Sequence, residues 1–279
     1  MKTKILLATD FSKNAQNAIE YAINLYKQDT CEFYILNTYN VGPSTMELAA
    51  ISDLEAFKRK SITGLSTILE GLSNIHSSKN HQFHVVSECG SLIDIMQKLI
   101  DIHDIDIVVM GTKGGTDSKT QIYGSKTALV MESIRDCPVL AIPAKAIFKG
   151  IKNIVFPTGY KTPYKRREFQ YLVDIAKKTG AAICVLHVMA KEKELDEDQR
   201  MHQELLKDFF EGIEYTFHII NDGKVQLALN SYLENHEIDM VAFINKKHNF
   251  FSWHLSKPMV KNLAYHSTIP ILALHDFRN

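Results

Sequence analysis

In the stretch "GTKGGTDSKTQIYGS", Gly111 to Ser125, four of the protein's 13 glycines lie within 15 residues, directly after the apolar run "IDIVVM". A glycine just after a strand lets a ligand approach the backbone closely, and Gly114 or Gly115 can take a positive φ where the chain must turn. Gly124 and Ser125 stand where the next helix should begin. Unpaired backbone N–H groups, the helix dipole and the serine hydroxyl would all meet an anion at that point. Lys113, Lys119 and Lys126 bring positive charge to the same segment, which suits a polyanion better than a neutral ligand. A Gly/Ser/Thr-rich connection between strand and helix is equally an ordinary loop, so the residues alone leave both readings open. Two familiar phosphate motifs are absent. "GSKT" places Ser125 between the glycine and lysine of a Walker loop, with no glycine five residues before Gly124, and "ATDFS" after the first strand is not G-x-G-x-x-G.

Other chemistry has little support in the residue pattern. Cysteines 31, 89, 137 and 184 are scattered without a C-x-x-C pair and read as structural thiols. His81 and His84 are three apart in a strand-like run, where they point to opposite faces, so they are set aside as a metal pair. No Ser/His/Asp arrangement or carboxylate pair can be placed for catalysis. Thirty-two basic residues balance 32 acidic ones at a pI near 7.2, giving no global field for nucleic acid or an anionic membrane. The first apolar run, Ile5 to Ala8, is too short for a secretory segment, and no stretch approaches 18 uninterrupted apolar residues. A soluble, cytoplasmic protein is expected.

The elements that must position the glycine stretch repeat along the chain. "KILLAT", "EFYILNTY", "HQFHVVSE", "IDIVVMG" and "CPVLAIP" are short and rarely alternating, as in strands covered on both faces. Helical patterns near 12–27, 47–75, 91–102 and 124–136 lie between them, the first with Ser12 as N-cap and a stripe of Ala15, Ile19, Ala22 and Ile23. "KNIVFPT", "AAICVLHV", "EYTFHII", "IDMVAFI" and "IPILALH" replay this order. Ile5 aligns with Ile154 and Ile105 with Ile238, so the offset falls from 149 to 133, which implies loss of a helix turn or more from the second helical region. Alternating strands and helices predict an α/β fold of two tandem domains with mostly parallel sheets, residues 1–146 and 147–279.

The spacing Gly111, Gly114, Gly124, Ser125 is G-2x-G-9x-G-[ST], and it resembles the ATP-binding members of the universal stress protein family. "ILLATDFSKNAQNAIEYA", "VMGTKGG" and "CPVLAIP" resemble that family's first strand and helix and its fourth and fifth strands. The resemblance implies a tandem protein of two Rossmann-like domains, of the adenine nucleotide alpha hydrolase-like kind, each with five strands in the order 3-2-1-4-5. It implies ATP as the ligand, and a magnesium ion bridging the phosphates would fit beside it, because Mg²⁺ often takes few protein ligands. Thr9 and Asp10 would end strand 1, Asp10 accepting from the ribose or base, with Thr38 alongside the adenine and Met110 and Gly111 bordering the nucleoside. Gly114, Gly124, Ser125 and the Lys126 backbone would hold the phosphates. On their residue types alone, Asp10 could merely serve the helix start, Thr38 could be an ordinary strand end, and Met110 could be core.

The second half departs from that motif. Ile244 and Lys247 replace Gly111 and Gly114, no glycine follows Gly223, and Gly159 stands where Asp10 stands in the first half. The second domain is therefore not expected to bind ATP in this manner. Phe250, Phe251 and Trp253, flanked by Lys246, Lys247 and His248, could plug the empty cleft or form an interaction patch. His248, His254 and His266 lack a fixed metal-binding spacing. The expected function is a nucleotide-dependent regulatory module rather than an enzyme; a nucleotide-free scaffold serving an unknown protein partner, or a slow ATPase, are the alternatives. By resemblance, the fifth strands of the two domains would pair within the chain as a pseudo-dimer, leaving a homodimer as a further option.

Overall fold

The computed structural model describes residues 2–40, 47–75, 79–112, 125–161, 163–189, 194–221, 225–245 and 269–275. The first half runs β1 (Thr3–Ala8), α1 (Lys13–Leu25), β2 (Cys31–Tyr39), α2 (Glu47–Ile75), β3 (His81–Cys89), α3 (Leu92–His103), β4 (Ile107–Gly111), α4 (Ser125–Ser133) and β5 (Val139–Ile142). The second runs β6 (Asn153–Thr158), α5 (Arg166–Thr179), β7 (Ala182–Met189), α6 (Glu197–Phe209), β8 (Tyr215–Asn221), α7 (Val225–Asn235), β9 (Met240–Asn245) and β10 (Ile271–His275). Ser12 caps α1 as expected, its hydroxyl accepting from the Ala15 N–H, and Ala15, Ile19, Ala22 and Ile23 are all buried.

All ten strands form one sheet in the order β3-β2-β1-β4-β5-β10-β9-β6-β7-β8. Each half thus has the expected order 3-2-1-4-5, parallel within itself. Two cores follow from the strand period of two. On one face Ile5, Leu7, Phe33 and Ile35 meet α1, α2, α5 and α6; on the other Leu6, Ala8, Leu36 and Val108 meet α3, α4 and α7. The repeat extends to register, because Ile5 stands beside Ile107 as Ile154 stands beside Met240. The missing turns belong to α6, which has 13 residues where α2 has 29, a difference of about four turns, within the expected loss of a turn or more.

The halves are joined through β5 and β10, which pair antiparallel with Leu140 opposite Leu272. Both leucines are fully buried, and unpaired the two strands would be short, mostly apolar edges open to other chains. The antiparallel joint also points the carboxyl ends of the two halves' strands in opposite directions.

Three cysteines behave as the small buried hydrophobes expected of them. Cys31, Cys137 and Cys184 are buried, and burial pushes the Cys31 and Cys137 thiols up to about 12, where they stay protonated. Cys89, at the end of edge strand β3, is exposed and departs from that expectation. His81 and His84 do face opposite ways: His81 lies edge-on to Phe33, whereas His84 stacks on Tyr34 at 4.8 Å. Among the described residues no helix is long and apolar enough to cross a membrane.

The joint yields a stability test. Leu272→Ala removes a buried side chain from the strand pair and should cost about 2–5 kcal/mol in denaturant unfolding, whereas Ile147→Ala, on an exposed residue, should cost under about 0.5 kcal/mol.

Candidate functional site

The candidate site lies at the carboxyl edge of β1 and β4, which are neighbours with Ala8 beside Met110. α1 leaves β1 on one face of the sheet, while α3 and α4 flank β4 on the other. A crevice opens at the strand ends wherever successive connections part to opposite faces in this way. Thr9 and Asp10 directly follow β1, Thr38 lies half-buried near the end of β2, and Met110 and Gly111 end β4. α4 begins at Ser125, where the sequence predicts a helix start, and exposed Lys126 is in its first turn. Gly114, Gly115, Gly124 and the Ser125 hydroxyl lie outside the described residues. The structure therefore brings Thr9, Asp10, Thr38, Met110, Gly111 and the start of α4 to one edge.

Several buried polar groups fix that edge, and the sequence reading missed them. The Thr127 hydroxyl donates to the Gly111 carbonyl at 2.8 Å, pinning the first turn of α4 over the end of β4. Asn37, buried at the end of β2, donates its amide to the Thr9 carbonyl at 2.7 Å. A lone asparagine inside "YILNT" was the available signal, since a buried polar side chain needs a partner. The Thr9 hydroxyl accepts from the Phe11 N–H at 3.0 Å, and Phe11 takes a left-handed φ of 65° that non-glycine residues rarely adopt. The chain thereby turns out of the sheet before Ser12 starts α1.

Asp10 is exposed, and its Oδ1 accepts from the Ser12 N–H at 3.0 Å. Ser12, not Asp10, is the N-cap; Asp10 supports the turn before it while its carboxylate stands at the crevice. Met110 packs into the second core with Ala8, Leu36 and Ala128, as the core reading of its residue type anticipated. Gly111 has a packing reason of its own. A Cβ there would lie 2.9 Å from the Asn14 side chain and 3.0 Å from the Asn14 carbonyl, so α1 itself approaches this glycine closely.

The equivalent edge in the second half keeps the backbone and changes the filling. The Thr158 hydroxyl accepts from the Tyr160 N–H at 3.0 Å, and Tyr160 has φ 54°, matching Thr9 and Phe11. His187 takes the part of Asn37, its Nδ1–H donating to the Thr158 carbonyl at 2.8 Å. Burial lowers the His187 pKa, so it stays neutral with the proton on Nδ1. The Tyr160 ring is buried and lies 4.9 Å from His187, and the Tyr164 hydroxyl hydrogen-bonds with that of Thr158. His202 Nδ1–H and Gln199 Nε2–H donate to the carbonyls of Tyr160 and Gly159. Side chains thus pack closely around the turn after β6. Phe250, Phe251 and Trp253, the aromatics expected to do so, lie outside the described residues, as do His248, His254 and His266.

At the ends of β9 and β10 the second half receives a residue from the first. Arg135 Nη1 donates to the Asn245 carbonyl, and Asn245 Nδ2 donates to the Met131 carbonyl at 2.6 Å. His275, beside Asn245, is fully buried, and among the described residues neither ring nitrogen has a hydrogen-bond partner. Desolvation, with the nearby Arg135 charge, pushes its pKa down to about 3.

A model of the universal stress protein family matches residues 1–143. Among solved structures, a universal stress protein from Archaeoglobus fulgidus DSM 4304 aligns over 98% of both chains at 17% identity with a TM-score of 0.70. A protein of unknown function from Pseudomonas aeruginosa PAO1 aligns over 98% of this chain and 92% of its own at 11% identity with a TM-score of 0.59. No curated protein matches the sequence.

Two outcomes follow from the packing at these edges. Gly111→Ala should destabilise the protein by about 1–3 kcal/mol even without ligand, and Asn14→Ala should restore only part of that, because the Asn14 carbonyl remains in place. His275 binds a proton more readily when unfolded, so its stabilising effect is complete above its ordinary pKa of 6.5 and is lost as pH falls toward 3. His275→Leu should therefore flatten the loss of unfolding free energy between about pH 7 and about pH 4. Some slope should persist, because burial lowers the His81 and His187 pKa values in the same direction.

Proposed function

We propose that this chain, which belongs to the universal stress protein family, binds ATP at the carboxyl edge between β1 and β4 and acts as a nucleotide-dependent regulatory module. One observation carries this reading: a crevice between neighbouring strands faces the N-terminus of α4, which the Thr127–Gly111 bond holds over the end of β4. Backbone N–H groups in the first turn of a helix are ready anion donors, so Ser125 and Lys126 would meet the phosphates there. Gly114 and Gly124 would let the phosphate chain approach the intervening backbone. Asp10 and Thr38 would take the ribose and adenine from the other side of the crevice, with Thr9, Met110 and Gly111 as its floor.

Among the described residues no cluster of His, Cys, Asp or Glu could hold a metal ion. A magnesium ion arriving with ATP would take its ligands from phosphates and water, as this ion often does. The same reading leaves the second domain, residues 147–279, without nucleotide at its corresponding edge. Gly159 offers no carboxylate where Asp10 does, and Tyr160 with His187 occupies the ground beside β6.

Acid extraction of the purified protein, followed by ion-exchange chromatography of the supernatant and calorimetric titration with ATP, tests the proposal. Bound adenine nucleotide or a saturable heat is expected, at one site per chain. Asp10→Ala should weaken binding about 10- to 100-fold, the range for removing a charge-assisted hydrogen bond, and Gly124→Val should abolish it. An extract without nucleotide and a titration without heat would instead favour a scaffold that binds no nucleotide.

A further inference from the structure

The short helix α4 runs from one carboxyl edge of the molecule to the other. Its nine residues, Ser125–Ser133, span about 14 Å. The first turn is held at the first half's edge by the Thr127 bond to the Gly111 carbonyl. The last turn reaches the second half's edge, because β5 follows it and pairs antiparallel with β10. A helix this short is marginal on its own, and the carbonyls of its last turn have no partner within it.

Two of those carbonyls find partners nearby in the chain. That of Val130 accepts from the Ile134 N–H at 2.9 Å, and that of Glu132 from Arg135 Nε at 3.2 Å. The Met131 carbonyl between them accepts instead from Nδ2 of Asn245, 114 residues further on, at 2.6 Å. Asn245 is 1% exposed and Met131 fully buried, so the bond is shielded from water, and a buried carbonyl deprived of its donor is costly. Arg135 closes the arrangement: its Nη1 donates to the Asn245 carbonyl at 2.5 Å and so fixes the strand end that carries the amide. The guanidinium also brings a cation to the C-terminal end of the helix, where the dipole favours one.

Under the repeat, Asn245 stands where Thr112 stands in the first half. Gly111 pairs with Ile142 as Ile244 pairs with Leu274, and Thr112 and Asn245 come next. The position therefore opens the second half's counterpart of the glycine loop. At that point Asn245 turns its side chain to a helix of the first half.

We propose that Asn245 is a positioning residue for the phosphate end of the nucleotide site: by capping the last turn of α4 from the second half, it keeps the N–H groups of the first turn aimed at the crevice. The second half thereby acts on a site whose named residues all belong to the first, a role that rests on the nucleotide reading above.

Asn245→Ala removes the donor, and the full-length variant is titrated calorimetrically with ATP and with adenosine beside the unaltered chain. ATP affinity should fall about tenfold, equivalent to about 1.4 kcal/mol, whereas the affinity for adenosine, which has no phosphate to place, stays unchanged. A general loosening of the fold would lower both alike, and circular dichroism checks that the variant folds. The unaltered chain supplies a second readout that needs no variant. Because coupling is reciprocal, ATP should slow hydrogen exchange in peptides covering β9 and β10, and adenosine should not. If the unaltered chain binds no ATP, the nucleotide reading falls and this role falls with it. If ATP binds, but the variant loses affinity for ATP and adenosine equally or loses none, or ATP leaves exchange in β9 and β10 unaltered, the positioning role alone is overturned.

Discussion

The antiparallel pairing of β5 with β10 is the contact on which the rest of the molecule depends. Each half alone would present a short, mostly apolar edge strand, and pairing the two removes both edges at once. The choice of antiparallel pairing then dictates much else. It makes one ten-stranded sheet, keeps α1, α2, α5 and α6 on one face, and sends the two carboxyl edges to opposite ends. It also brings Arg135 at the end of α4 onto Asn245 of the second half, and places α5 against the amino ends of the first half's strands.

A duplicated fold can hold its backbone while its side chains diverge. Thr9 and Thr158 make the same hydrogen bond to the residue two positions on, and both of those residues, Phe11 and Tyr160, sit at positive φ. Asn37 and His187 hold the same strand-end carbonyl with different chemistry. That shared turn leads in one half to an exposed carboxylate, Asp10, and in the other to Gly159 and a buried aromatic. Among the described residues the two edges therefore share a turn and differ in the side chains placed on it, Asp10 and Phe11 in one half and Gly159 and Tyr160 in the other. α4 ties the open crevice to the second half, since Thr127 bonds Gly111 near its start and the Met131 carbonyl receives Asn245 near its end.

Much of this was legible in the sequence because local signals agreed. Ten short apolar runs separated by helical stripes specify the strands, and Ile5/Ile154 with Ile105/Ile238 gives the internal alignment that the strand registers reproduce. The gathering of Thr9, Asp10, Thr38, Met110 and Gly111 followed from the strand order that the family resemblance implied. Their supports, Thr127, Asn37 and Asn14, were not read, because each acts on a group distant in sequence. Gly111 was read as bordering a nucleoside, and nothing in the sequence signalled that Asn14 on the first helix also lies against it.

The sequence by itself determined the elements, the repeat, the polar turn at each strand end and the glycine spacing of one loop, since all of these arise from residue type and periodicity over short range. Only the tertiary structure decided that the paired fifth strands run antiparallel with Leu140 opposite Leu272, and which polar side chains tie the two halves together. Those features depend on which side chains are brought together across more than a hundred residues of chain, as Asn17 is with Ala146 and Arg135 with Asn245. No local pattern encodes such meetings; they come into being when two apolar edges, each unremarkable alone, are buried against each other.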